Sequence, residues 1–316
     1  MIFIKKVVAF LYYRGIRNPL SYLFYHILLF FPVFLSRRSL ESFKGGGPIL
    51  LIIVGFNNPN LIQIQIRLFR NFIKDKYVLL IVDNSSDKNM STLIYKKCLS
   101  ENVDYIKVPR QNIFKNSNSH ALALNWVYNK IVKHSHFDIV GLLDHDIFPI
   151  RDIFISDRMK SKLAFGLLRH GSYIDIHDNF IRKELADWYL WPGYAFYNLD
   201  ELKNYKVDFR TSNINKKDFD TGGRNWYSIY SKVPIDKFSF VSFDNIKIGD
   251  GNSWENNYVE IIDESWLHLI NGSYWYDEFE GQISNKKKFI SFFESEKIES
   301  ISHVKLNEIM PFFIDL

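Results

Sequence analysis

The sequence predicts an α/β fold in which a doubly wound, mostly parallel sheet carries helices on both of its faces. Three short apolar runs, at residues 49–54, 78–82 and 139–143, are continuous rather than alternating, which is typical of parallel strands covered on both sides. Segments of helical length and period lie between these runs. Such alternation of strands with helices builds parallel sheets through right-handed crossovers.

The elements follow one another in the order β-α-β-α-β-α-β. Residues 61–72 follow the first apolar run as a helix, and residues 90–101 follow the second. A shorter apolar run at residues 105–108 adds a strand, and residues 119–132 form the helix before the third run, with apolar residues on one side. From Pro149 onward the periodicity weakens, so we expect loops, short strands and helices built over the sheet.

Composition divides the 316 residues into three parts. Residues 1–45 form a hydrophobic, aromatic and helical N-terminal arm, in which seven basic residues stand against Glu41 alone. Residues 46–285 form the folded domain, whose character changes near residue 150, and residues 286–316 form a charged, partly helical tail.

The arm favours a membrane partner over nucleic acid, because its basic residues lie among apolar and aromatic ones rather than over a folded surface. Its charge-free stretch, residues 22–35, has fourteen residues, fewer than the roughly 20 that a spanning helix needs. Attachment at the membrane interface is the favoured interpretation, with a packed helical hairpin and a true span as alternatives. Because Cys98 has no second cysteine to pair with, we expect a cytoplasmic protein, peripheral on the inner face of the membrane.

Polar side chains follow each of the three apolar runs, at the carboxyl ends where open α/β sheets bind ligands. Asn57 follows the first run, Asp83 and Asn84 follow the second, and Asp144 and Asp146 follow the third. Two carboxylates that leave one buried strand repel each other unless a cation lies between them, and oxygen ligands suit Mg²⁺ or Mn²⁺. Asp144 and Asp146 are therefore candidate ligands of a divalent cation.

A second Asp-X-Asp tripeptide, residues 218–220, follows a polar stretch and leads into Gly222 and Gly223. We interpret this segment as a loop. Its simplest alternative role is to cap a helix over residues 224–230.

The polar segments resemble those of GT-A-fold glycosyltransferases, in particular the inverting, family-2-like enzymes that contain a DXD motif. The resemblance rests on Val54-Gly55-Phe56-Asn57, Ile81-Val82-Asp83-Asn84-Ser85-Ser86 and Leu142-Leu143-Asp144-His145-Asp146. It implies the fold of nucleotide-diphospho-sugar transferases, with residues 46–150 as the nucleotide-binding half and residues 151–285 as the acceptor and catalytic half. It also implies transfer of a sugar from a nucleotide-diphosphate sugar to an acceptor hydroxyl, with inversion.

The same resemblance assigns roles to residues of the first half. Asn57, Asp83 and Asn84 become contacts of the donor nucleotide, and Asp146 becomes the more direct metal ligand of the acidic pair. The chain departs from the family before the third helix, where members often carry glycine. Here Arg110 and His120 are candidate phosphate contacts, while the Asn and Ser residues around them have the simpler role of capping that helix.

Three blocks of the second half also resemble segments of some GT-A enzymes and add further candidates: Trp191-Pro192-Gly193-Tyr194, Asp220-Thr221-Gly222-Gly223 and His268-Leu269-X-Asn271-Gly272-Ser273. Asp220 is the candidate catalytic base, with Glu184 and Asp187 in reserve, and His268 is a candidate third metal ligand or diphosphate contact. The alternative for His268 is a satisfied core histidine. Three aromatic residues are candidate acceptor contacts, with core packing as their alternative: Trp188, Trp191 and Tyr194.

The basic, aromatic arm indicates a lipid-linked saccharide or cell-envelope glycan as the acceptor. Two other functions compete with sugar transfer. The first is a metal-dependent nucleotidyl- or phosphoryl-transfer enzyme, which the lack of a P-loop glycine pattern disfavours. The second is a non-enzymatic, membrane-associated binding protein whose carboxylates only cap strands and loops.

Overall fold

The computed structural model describes residues 47–109, 117–169, 187–215, 217–248 and 257–270, together with seven single residues: Leu20, Leu23, His26, Ile27, Gly272, Pro311 and Phe313. Most of the predicted arm and tail therefore lie outside the described residues. The candidate site residues Arg110 and Glu184 also lie outside them, as do the Asn and Ser residues that precede Ser117. Within the described part of the chain, no helix has the length and apolar character needed to cross a membrane.

A central sheet of seven strands forms the body of the described part. All its neighbouring strands run parallel except β7, which is antiparallel to both of its neighbours. In spatial order the strands are β3 (Asp104–Lys107), β2 (Tyr77–Asp83), β1 (Gly47–Gly55), β4 (Phe137–Asp144), β7 (Tyr189–Asn198), β6 (Ala164–Arg169) and β10 (Phe238–Val241). The predicted mostly parallel sheet is confirmed.

Five α-helices connect or flank these strands in the described part: α1 (Pro59–Phe72), α2 (Lys88–Ser100), α3 (Ser117–Lys130), α4 (Ile155–Met159) and α5 (Leu199–Leu202). Short 3-10 helices follow at Val132–His134, Gly223–Tyr227 and Ile235–Lys237. The first three α-helices are the predicted ones, with ends shifted by up to two residues. α2 starts earlier than expected because the Asp87 carboxylate accepts hydrogen bonds from two backbone N–H groups of its first turn.

Alternate residues of β1 face opposite layers, as expected of a strand with period 2. Ile49, Leu51 and Ile53 pack in one cluster with α1 and α2, whereas Leu50 and Ile52 pack in another with α3. Helices thus cover both faces of the sheet, and the predicted doubly wound arrangement is confirmed.

A second, antiparallel sheet packs on the far side of α1. Its strands, in spatial order, are β11 (Phe243–Lys247), β12 (Tyr258–Ile262), β13 (Trp266–His268) and β5 (Ile147–Pro149). β5 starts directly after the Asp-His-Asp segment that follows β4. Phe313, from the predicted tail, is buried against Phe148 of β5 with 5.0 Å between ring centroids. The second sheet therefore pairs strands of the C-terminal half with β5, the short strand that follows β4 in the chain.

The segment around the second Asp-X-Asp differs from the predicted loop. Lys217–Phe219 forms strand β9, which pairs with β8 (Ser212–Ile214) in a hairpin, because the side chain of Phe219 is buried in the core. The capping role is also wrong. The 3-10 helix Gly223–Tyr227 follows Gly222 at φ 90°, and no side chain caps it.

Candidate functional site

Three central strands end in register at one edge of the sheet. Gly55 of β1 pairs with Asp83 of β2, and Val54 of β1 pairs with Asp144 of β4. The polar segments after these strands consequently share the carboxyl edge, where open α/β sheets bind ligands. The edge predicted from the sequence is therefore the edge at which the Asn and Asp side chains meet.

Asn57 joins the first two loops at this edge. It adopts a left-handed conformation with φ 49°, which asparagine tolerates better than most residues. Its backbone N–H donates to Ser85 Oγ at 2.9 Å, its Nδ2 donates to Ser86 Oγ at 3.0 Å, and its Oδ1 accepts from the Asp87 backbone N–H at 3.0 Å. Asn57 therefore fixes the relative position of the two loops.

The carboxylate of Asp83 is fully buried and used internally. Its Oδ1 accepts the Ser85 backbone N–H at 2.8 Å. Its Oδ2 accepts from Tyr105 Oη at 2.7 Å, from Lys107 Nζ at 3.0 Å and from Ser91 Oγ. Burial raises the pKa of Asp83, but Lys107 and the hydrogen-bond donors outweigh burial and lower it.

Asn84 and His120 connect this edge to α3. Asn84 Nδ2 donates to Ser119 Oγ at 3.0 Å, which ties the β2 loop to the first turn of the helix. His120, also in that turn, has Nε2 3.4 Å from Asp144 Oδ1. Two of the predicted donor contacts thus lie on structure that adjoins the acidic pair.

The Asp144-His145-Asp146 segment is a tight turn whose backbone is held by a side chain of α1. Gln65 Nε2 donates to the carbonyl oxygens of Asp144 and Ile147, both at 2.8 Å. His145 is buried, with Nδ1 3.2 Å from the Val54 carbonyl oxygen. These contacts restrain the backbone of the turn from which the two carboxylates project.

Asp146 is the buried member of the pair, with 5% of its surface exposed. Its Oδ1 has no hydrogen-bond partner among the described residues. Burial and the nearby charge of Asp144 raise the pKa of Asp146, and His268 and His145 offset part of that rise. Because burying a carboxylate oxygen without a partner is costly, this atom is suited to an electropositive ligand.

His268 faces Asp146 from β13, with Nε2 3.8 Å from Asp146 Oδ1. Its Nδ1 lies 2.6 Å from Glu260 Oε2, and Glu260 accepts from Arg169 at 2.9 and 3.0 Å. Burial opposes a charge on His268, but the hydrogen bond and charge of Glu260 outweigh burial and raise the His268 pKa. Trp191 lies against the imidazole, with 5.0 Å between ring centroids.

The carboxylates at this edge suit a hard divalent cation whose coordination shell is completed by oxygen atoms of a bound substrate and of water. In the described ranges, no group of three or more His, Cys, Asp or Glu side chains is arranged so that it could hold a metal ion by itself. Mg²⁺ commonly uses only one or two protein carboxylates and completes its shell with phosphate oxygens and water. The unpartnered Oδ1 of Asp146, with Asp144 beside it, matches that pattern.

Solved structures resemble parts of the chain at low identity. A mannosyltransferase from Pyrobaculum calidifontis in complex with GDP-Man and Mn²⁺ is 12% identical and matches 58% of this chain and 53% of that chain, with a TM-score of 0.35. Galactosyltransferase LgtC, in complex with donor and acceptor sugar analogs, is 13% identical over 50% of this chain and 60% of its own, with a TM-score of 0.34. Glucosyl-3-phosphoglycerate synthase from Mycobacterium tuberculosis, with Mn²⁺ and UDP, is 15% identical over 42% and 47%, with a TM-score of 0.27.

The chain thus spans less than two thirds of the length of each of these proteins. Two of the three carry the name of the enzyme class that the sequence resembles. At these scores the likeness carries no residue roles to this chain. No protein-family model matches the chain, and no curated protein matches it.

The structure corrects two of the three predicted acceptor contacts. Trp188 is buried among Tyr230, Phe238 and other aromatic rings, so it has no face available to an acceptor. Tyr194 is buried in β7 against Phe165 and other rings. Core packing, the alternative stated from the sequence, holds for both.

Trp191 is the predicted aromatic residue that lies at the site. It is half-buried beside His268, and its ring covers Gly193 so closely that a Cβ there would lie 2.2 Å from it. Glycine at that position therefore lets the indole lie flat on the backbone. An acceptor contact at Trp191 stays a prediction.

Of the candidate bases, Asp220 lies in a segment attached to the site. Thr221 Oγ1 donates to the Ser117 carbonyl oxygen at 3.0 Å, and Gly222 packs against Pro192. The Asp220 segment therefore adjoins both the start of α3 and the start of β7. Asp187 is buried and accepts from Asn215 Nδ2 at 2.7 Å, so its carboxylate is already in use.

Sequence reasoning missed Glu260, Arg169 and Gln65. Glu260 had a usable signal, since it is the acidic residue in an apolar strand, Tyr258–Ile262. Gln65 had a similar one, because it lies on the buried face of α1. Arg169 is the last residue of β6, and no local sequence pattern indicates that it belongs to the site.

Gly272→Ala is expected to weaken Mn²⁺ binding by about 10–100-fold, the range for changes that displace a metal ligand indirectly. A Cβ at Gly272 would lie 2.6 Å from Asp146 Cβ and 3.2 Å from Asp146 Oδ2, so the carboxylate must move. The control is Gly55→Ala, whose Cβ would meet only the flexible end of Ile62 at 3.0 Å. Electron paramagnetic resonance titration of free Mn²⁺ measures both, and equal affinities would contradict the expectation.

Proposed function

We propose that the chain is a metal-dependent glycosyltransferase that moves a sugar from a nucleotide-diphosphate sugar to an acceptor hydroxyl. The observation that carries the proposal is the buried Oδ1 of Asp146, which has no hydrogen-bond partner in the described part of the chain and lies at the carboxyl edge of the sheet beside Asp144. Burying a carboxylate oxygen without a partner does not stabilise the fold, so this atom is suited to binding a cation.

Asp144 and Asp146 are the residues that would hold Mn²⁺ or Mg²⁺, and His268 is the third side chain within reach of the same place. A divalent cation supplies Lewis-acid stabilisation of the negative charge that develops on a departing diphosphate. Gln65 holds the backbone of the turn that carries both carboxylates, so the positions of their backbone atoms are set before the donor binds.

The loops after β1 and β2 are proposed to bind the nucleotide. Asn57 and Asn84 lie at the edge, while the buried carboxylate of Asp83 acts by holding the second loop in shape. Backbone and hydroxyl groups of that loop then offer the direct contacts. His120, between this loop and Asp144, is placed to contact the diphosphate.

Asp220 is the proposed base that takes the proton from the acceptor hydroxyl, which implies inversion at the anomeric carbon. Trp191 offers a partly exposed aromatic face for the acceptor.

In support of a lipid-linked or cell-envelope acceptor, Leu20, Leu23 and Ile27 are exposed at helical spacing within the basic arm. We therefore propose attachment of residues 1–45 to the inner face of the membrane.

A donor screen tests this function. The full chain is incubated with a panel of nucleotide sugars, with and without Mn²⁺, and release of nucleoside diphosphate is measured. Hydrolysis of at least one donor that depends on Mn²⁺ is expected. A preference for nucleoside triphosphates would favour phosphoryl transfer instead, and calorimetry that detects no metal-dependent donor affinity would favour a binding protein.

A further inference from the structure

Glu260 is a buried acidic residue that the proposed reaction does not use directly. Its side chain is 0% exposed, and both carboxylate oxygens are engaged. Arg169 donates to both oxygens, and Oε2 also contacts His268 Nδ1 at 2.6 Å. The ion pair joins Glu260 of the small antiparallel sheet to Arg169 at the end of β6 in the central sheet, and burying the Glu260 charge is costly. Its position beside the acidic pair indicates a functional role.

We propose that Glu260 is a positioning residue, which holds His268 with its Nε2 directed at Asp146 so that His268 serves as a nitrogen ligand of the divalent cation. This inference rests on the proposed function, since it concerns the same metal site.

The hydrogen bond determines which imidazole nitrogen is free. An ionised carboxylate can only accept, so the proton of this bond belongs to His268 Nδ1. In the neutral imidazole the other nitrogen, Nε2, then carries the lone pair, on the side of Asp146. The 3.8 Å between Nε2 and Asp146 Oδ1 is too long for a hydrogen bond. These two candidate metal ligands therefore lie near each other without forming a hydrogen bond.

The second sheet provides the rigidity that such positioning requires. Glu260 and His268 are directly opposite each other on β12 and β13, and His268 is opposite Ile147 on β5. Ile147 immediately follows Asp146 in the chain. The backbone hydrogen bonds of three strands thus connect the carboxylate, the imidazole and the acidic turn in fixed register.

Arg169 and Trp191 complete the surroundings of the imidazole. The Arg169 guanidinium neutralises Glu260 and lies 5.4 Å from the Trp191 ring centroid, and Trp191 in turn packs on His268. The imidazole is therefore held by a hydrogen bond at Nδ1 and by contact with an indole that is tilted at 46° to it. This is how metal-binding histidines are commonly oriented by outer residues.

The test compares Glu260→Gln with wild type in Mn²⁺ binding to the full chain, with and without UDP. Glutamine keeps the shape but removes the charge that orients Nδ1–H, so an affinity about 10–100-fold weaker is expected. The matched control is Glu101→Gln, which also removes a carboxylate paired with arginines, Arg67 and Arg70, on the surface. Its Mn²⁺ affinity is expected to equal that of wild type.

Nitrogen-15 NMR of the His268 ring in wild type tests the inference even where the variant fails to fold. In the chain saturated with Mg²⁺ and UDP, a proton on Nδ1 and none on Nε2 is expected, whereas a proton on Nε2 overturns the inference. Equal Mn²⁺ affinity of wild type and folded Glu260→Gln overturns it while leaving the proposed function intact. Lack of Mn²⁺ binding by wild type overturns both.

Discussion

Asp146→Asn is expected to lower metal-dependent turnover of the donor by about a thousandfold, because loss of the ligand removes several kcal/mol of stabilisation of the leaving diphosphate. Asparagine has nearly the shape of aspartate but lacks the negative charge that a hard cation prefers. Asp144 and His268 would retain weak binding. The variant should therefore show loss of activity together with weaker Mn²⁺ affinity.

The same substitution is expected to leave the fold at least as stable as wild type. The carboxylate of Asp146 is buried, and its Oδ1 has no hydrogen-bond partner within the described ranges. Removing a buried charge that the cation-free protein does not satisfy should raise the free energy of unfolding by about 0.5–2 kcal/mol, the usual gain where a strained functional site is relieved.

Two measurements on one preparation check these expectations: donor hydrolysis with Mn²⁺, and urea unfolding without metal. The control is Asp152→Asn, which removes an exposed carboxylate paired with Lys74 at 3.0 Å. That control should keep wild-type activity and stability. Full activity in Asp146→Asn would remove the basis of the proposed function, and marked destabilisation would mean that the charge serves the fold.

The central half of the fold was predictable because its signals are local. The apolar runs of β1, β2 and β4 are continuous, and each run is followed by a polar residue that the sequence makes visible. Parallel strands necessarily meet at one edge by their carboxyl ends. The meeting of Asn57, Asp83 and Asp144 at that edge therefore followed from pattern alone.

The other half depended on long-range pairing that no local pattern encodes. Glu260 and His268 face each other only because β12 and β13 pair in one particular register, which a shift of one residue would reverse. The burial of Trp188 and Tyr194 has the same origin, since aromatic residues are as common in cores as in binding sites. Phe219 was predicted to lie in a loop, but it lies in strand β9 because its side chain is buried in the core.

Asp83→Ala is expected to lower the free energy of unfolding on the order of 3 kcal/mol. The substitution leaves the hydroxyl groups of Ser91 and Tyr105 and the ammonium of Lys107 without their shared acceptor. The loss is placed at the lower end for a broken buried ion pair because the Lys107 side chain is 36% exposed and water can solvate it. Urea unfolding at neutral pH measures the difference from wild type.

The pH dependence of that difference identifies the carboxylate as its source. Since the folded protein holds the pKa of Asp83 below its ordinary value, the stabilisation is fully present above the unfolded pKa, about 3.9, and is lost as the pH falls through the folded pKa. The gap in stability between wild type and Asp83→Ala should therefore narrow in acid. A gap that stays constant would mean that Asp83 acts through packing, and the β2 loop would then owe its shape to Asn57 and Ser85 rather than to this charge.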